Sequence, residues 1–183
     1  HPQAMGSALP VLTEGGTLAT LWLLFAGGVH LLSRWLPATS LKKVADTLLV
    51  MSVLASGLLL LLLVNPLFRD SGVGGLVVFN WLLLGFGLPA LVMFGLSRVV
   101  GGSVPRGVAQ TLAVGALVLL FAHLNLEVRH YFHIDDMSGG NVEEAEWYCY
   151  SVAWILFACL LAALGIARRQ APLRWASLVV MLL

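Results

Sequence analysis

An all-α, polytopic bundle of membrane-spanning helices is the fold this sequence predicts, with five full spans and part of a sixth in one domain over residues 1–183. Three observations carry that expectation. Hydrophobic residues make up 60% of the chain and charged residues only 10%, whereas a water-soluble domain carries about a quarter charged. Long uncharged runs recur along the chain, and they are apolar on every face rather than on one stripe. Lys and Arg cluster in alternate connections, as in a chain that crosses a bilayer repeatedly.

A hydrocarbon core of about 30 Å takes about 20 helical residues to cross. Runs near that length predict spans over residues 15–33, 47–64, 73–97, 107–128 and 147–167, and a shorter one begins at 173–183. Barrel strands would alternate in hydrophobicity, and these runs do not. The connections "RWLPATSLKK", "VNPLFRD", "GGSVPRG" and "RRQAPLR" hold Pro37, Pro66, Pro105 and Pro172, residues that end helices and start turns. Residues 129–146 form a longer acidic loop with Gly139 and Gly140, and Asn141 is placed to cap the next helix with Glu144 at its third position. In "LLLGFGLPALVMFG", Gly85, Gly87 and Pro89 predict a bend in the third span. "HPQAMGSALP" offers neither an initiating Met nor a basic signal-peptide start, and "LRWASLVVMLL" stops at about half a span. A fragment of a longer multi-spanning protein is therefore expected.

Eight cations, Arg34, Lys42, Lys43, Arg98, Arg106, Arg168, Arg169 and Arg174, fall on one side of the predicted layer, and only Arg69 and Arg129 on the other. Because cations are retained on the cytoplasmic side, this predicts a bacterial inner-membrane protein whose first residues and acidic loop face outward. All acidic residues but Asp46 share that outer side. A net charge of +1 gives no basic field for nucleic acid, so none is expected as a partner; the expected partners are the lipid bilayer and other spans of the same protein or other membrane subunits. Cys149 and Cys159 stand on one predicted helix roughly 15 Å apart, too far to pair, and read as packing residues.

The stretch "HLNLEVRHYFHIDD" closes an apolar run with a burst of ionisable groups. His123, Glu127 and His130 recur at intervals of four and three, which sets them on one stripe of the fourth helix. Zinc-peptidase spacing requires two histidines four apart with the glutamate next to the first, so this pattern predicts no metal and no cofactor. The simplest reading of Asp135, Asp136, Glu143 and Glu144 is a helix leaving the membrane into solvent. Glu127 and His123 are different, because ionisable groups at membrane depth face protein or a wet cavity rather than lipid. They are the candidate catalytic residues. Arg69, Asn80, Arg129, Glu146 and Tyr148 are the candidate substrate-binding residues. Asn80 is expected about a third of the way into the third span, where packing against a neighbour would satisfy its amide as well as a substrate would. Arg69 and Arg129 are placed to hold anionic groups or to pair with the acidic loop.

"EVRHYF", the acidic loop, then "EWYCYSVAWILFACLLAALG" and "RRQAPLRWASLVVMLL" resemble the bacterial predicted membrane proteins of the domain-of-unknown-function family DUF2339. Glu127, Arg129, Glu146, Tyr148, Ser151 and Trp154 look like that family's recurring pattern. The resemblance implies a longer, many-spanning protein and brings no activity with it. Function is expected at the outward polar cluster, as handling of a lipid-linked or glycan substrate of the envelope. A small-solute or proton pathway and a non-catalytic membrane scaffold are the alternatives.

Overall fold

The computed structural model describes residues 11–36, 39–68, 73, 79–134 and 137–182. Among the described residues it is all-helical, and five of its helices are long and apolar enough to cross a membrane. The chain divides into two compact units, His1–Gly139 and Gly140–Leu183.

The first unit holds α1 (Val11–Ser33), α2 (Thr39–Leu58, extended by a π-helical turn at Leu59–Leu63), α3 (Leu88–Val100, preceded by a π-helical turn at Leu83–Gly87) and α4 (Arg106–Phe132). The helices alternate in direction. α1 packs on α2 and α3, and α4 packs on the same two, so the four close into a ring. Leu12, Leu23, Leu49, Leu60, Phe86 and Met93 are fully buried and make its core. The outside is apolar too: Leu21, Phe25, Met51, Leu54 and Leu91 are all exposed, the pattern of a helix ring solvated by lipid.

Charged helix ends account for one difference from the hydropathy runs. α2 begins at Thr39 rather than at 47, because Lys42, Lys43 and Asp46 are compatible with helix and mark the polar boundary rather than the helix start. The third span differs the other way. Its described helix begins at Trp81 rather than at 73, and Asn80 stands just before it instead of inside it.

Glycines bring the ring together. A Cβ on Gly16 would lie 2.5 Å from the Leu84 carbonyl oxygen and 2.6 Å from the Gly85 Cα, so α1 meets the π turn backbone to backbone. On Gly15 it would lie 2.8 Å from Val64, at the end of the other π turn. The expected bend at Gly85, Gly87 and Pro89 is this π turn. Pro89 has no N–H, and its ring crowds the carbonyl four residues back, which a wider turn moves aside. Leu88 N–H then donates to the Leu83 carbonyl, five residues back.

The second unit is a hairpin of α5 (Glu144–Ala167) and α6 (Ala171–Met181). Glu143, not Asn141, stands at the start of α5, and among the described residues no side chain caps it, so the expected capping box is not formed there. The hairpin turn is a Schellman motif: Gln170 N–H donates to the Gly165 carbonyl at 2.9 Å and Arg169 N–H to the Ile166 carbonyl at 3.1 Å. Its left-handed position is held by Arg169, at φ 52°, rather than by glycine. A left-handed L-residue costs roughly 1–2 kcal/mol, so Arg169→Gly is expected to slow amide exchange at this turn about fivefold or more. Unchanged exchange there would contradict this. Cys149 and Cys159 are both free and exposed.

Candidate functional site

Two residues far apart in sequence build the site at the end of the ring where α1 begins. Asn80 closes the third span: its Oδ1 accepts from Leu82 N–H at 2.9 Å and from Leu83 N–H at 3.3 Å, satisfying donors that a helix start leaves open. Its Nδ2 donates to Glu127 Oε2 on α4 at 3.0 Å. One amide thus fixes both the entry of a helix and the orientation of a carboxylate. The other oxygen, Oε1, lies 3.8 Å from His123 Nε2, one turn earlier on α4. The side chains of His123 and Glu127 are each 13% exposed, so the pair is sheltered without being sealed. His123 also faces the π turn, where a Cβ on Gly87 would lie 3.8 Å from its Nε2.

Asn80→Ala removes a helix cap and the carboxylate's donor together. The expected cost is about 2 kcal/mol, read as a lowered melting temperature in detergent. Asn80→Ser keeps a cap oxygen and is expected to lose less. Equal losses for the two would show that the cap contributes nothing.

The rest of the expected cluster is distributed. His130 shares the stripe and is fully buried, and among the described residues neither ring nitrogen has a hydrogen-bond partner. Among the described residues no group of three or more His, Cys, Asp or Glu could hold a metal. Arg129 turns onto the chain itself: Nη2 donates to the Gly139 carbonyl at 2.6 Å, Nε to the Met137 carbonyl at 3.3 Å, and Nη1 lies 2.8 Å from His133 Nε2. These bonds tie the loop after α4 to the helix end. Arg69 lies outside the described residues, as do Asp135 and Asp136. Glu146 belongs to the second unit, where it is buried and accepts from Tyr150 Oη at 3.1 Å. Tyr148, in the same unit, is exposed.

A second polar cluster, unexpected from the sequence, stands at the opposite end of the ring. His30, fully buried on α1, has Nε2 3.0 Å from Ser103 Oγ and Nδ1 3.0 Å from Asp46 Oδ1. Two signals for it stood in the sequence: an imidazole within an apolar run, and one acid among cations.

A family model described as "Predicted membrane protein (DUF2339)" matches residues 3–183. Comparison with curated proteins and with solved structures gave no match.

Proposed function

The chain belongs to the DUF2339 family of predicted membrane proteins, and we propose that its polar centre at Glu127 binds and works on a hydroxyl-bearing substrate, lipid-linked or glycan, at the outer face of a bacterial inner membrane. The observation that carries this reading is the division of labour at Glu127. Oε2 accepts from Asn80 Nδ2, while Oε1 stands 3.8 Å from His123 Nε2. An ionisable pair at membrane depth has a cost that packing alone does not require, and function is the usual reason for it. A carboxylate oriented by an amide, with an imidazole beside it, suits acceptance of a proton from a substrate hydroxyl. Glu127 is then the general base and His123 the group that shares or relays the proton. Asn80 is a positioning residue. Arg129, committed to loop carbonyls, holds the loop after α4 and takes no part in the proposed chemistry.

Native mass spectrometry of the intact protein in nanodiscs made from envelope lipids tests this reading. The wild type is expected to retain a saccharide-bearing lipid that Glu127→Ala loses. Bulk phospholipid alone on both would overturn it.

A further inference from the structure

We propose that the end of the ring opposite Glu127 is a binding surface for anionic phospholipid, with Arg98 and Arg106 holding the head-group phosphate. The surface rests on its own residues and is independent of the reading of Glu127. α1 and α3 end here, and α2 and α4 begin here. These four helix ends bring Arg34, Lys42, Lys43, Arg98 and Arg106 to one level, and all five are exposed. Among the described residues no carboxylate pairs with any of them.

The acid that these helix ends also carry does not offset them at the surface. Asp46 is drawn inward, with Oδ1 3.0 Å from Nδ1 of the fully buried His30 and its side chain only 15% exposed. What remains outside is a rim of one sign. At a membrane surface each such cation favours anionic lipid by about fivefold.

Charge alone would attract any anion, and α3 adds the shape of a lipid. Leu91, Phe94 and Arg98 recur at intervals of three and four, so they share one stripe of the helix, and all three are exposed. Ala90 and Met93, on the other face, are buried in the ring. The exposed stripe runs about 10 Å from apolar to cationic, which is the order of acyl chain and then phosphate in a phospholipid. The Arg98 guanidinium carbon lies 4.8 Å from the centre of the Phe94 ring. Stacking of this kind holds a long side chain against an apolar surface and leaves the edge of its planar fork, which matches phosphate, open to a ligand. Arg106, the first residue of α4, stands at the adjacent helix end, since α4 packs on α3 and a tight turn closed by Ser103 N–H and Val104 N–H on the Val100 carbonyl joins them. A soluble anion would meet the two cations but make no use of Leu91 and Phe94, so the occupant is a lipid of the leaflet in which α3 ends.

The intact protein in detergent is titrated with phosphatidylglycerol or with phosphatidylcholine of the same acyl chains, and bound lipid is counted by native mass spectrometry. Wild type is expected to prefer phosphatidylglycerol by at least about tenfold, and the double variant Arg98→Gln/Arg106→Gln to lose most of that preference, at about fivefold per cation. Arg98→Lys/Arg106→Lys keeps both charges and is expected to keep the preference. Glycerol 3-phosphate, which carries the head without the chains, is expected not to displace the lipid. Equal binding of the two lipids by wild type overturns the proposal, and so does an undiminished preference in the glutamine variant. A preference lost in the lysine variant as well would mark damage to the fold rather than loss of charge, and displacement by glycerol 3-phosphate would mark a site for soluble phosphate; either result also overturns it.

Discussion

Replacing Gly16 with valine is expected to unseat α1 from the ring and leave the intact protein largely unfolded in detergent. The reason is that the neighbour is backbone. Where a new Cβ meets the tip of a flexible side chain, a rotamer change relieves it, but at Gly16 it meets the Leu84 carbonyl and the Gly85 Cα inside 3.0 Å. Relief requires moving the π turn, and that turn carries the helix whose first donors Asn80 holds. Overpacking in a well-packed core costs typically 1–3 kcal/mol, and an immovable neighbour takes the cost above that range. Gly16→Ala should already show a lower melting temperature. Among the described residues Gly28, on the same helix, has nothing within 4 Å of its Cβ position, and Gly28→Ala should be neutral or slightly stabilising, since Ala is the better helix former by about 1 kcal/mol. If both alanine variants melted like wild type, the close approach of α1 to the π turn would be wrong.

The second large effect is expected at Glu127. Glu127→Gln keeps an amide oxygen able to accept from Asn80 Nδ2, so the start of the third span stays fixed. What it removes is the capacity to take a proton or hold a charge facing His123. A general base contributes about 10²–10⁴-fold to a rate, and a loss on that scale is expected with little change in melting temperature. Glu127→Ala should add a stability loss, because it leaves the buried Asn80 amide without its acceptor. Comparison of the two separates charge from packing.

Much of the architecture was legible in the residues, because lipid imposes a length rule that few other environments impose. The apolar runs marked five helices, although Lys42, Lys43 and Asp46 hid the first turns of α2. Asn80 shows why a hydropathy window misplaces a boundary. The apolar residues before it extend the hydropathy run to 73, while an asparagine directly ahead of "WLLLGFG" is itself a helix-start signal. Gly85, Gly87 and Pro89 announced a distortion but not its kind. At the sites, intervals of four tied His123 to Glu127 because one helix carries both. The bond from Asn80 to Glu127 joins residues 47 apart, and its formation depends on how two helices are rotated about their axes, which no local pattern records. His30, Asp46 and Ser103 were hidden for the same reason, being spread over three elements. Arg129 read as a cation placed for anionic groups or the acidic loop, because a sequence does not show which loop carbonyls return to meet it.

The most direct measurement is complementation of a strain lacking this protein by full-length Glu127→Gln, expressed at the wild-type level and with a wild-type melting temperature. The account predicts that the deletion phenotype persists, because the hydrogen bond survives and the ionisable group does not. Full rescue by Gln would mean that Glu127 acts only as a hydrogen-bond acceptor for Asn80, and the proposed site would be a packing contact.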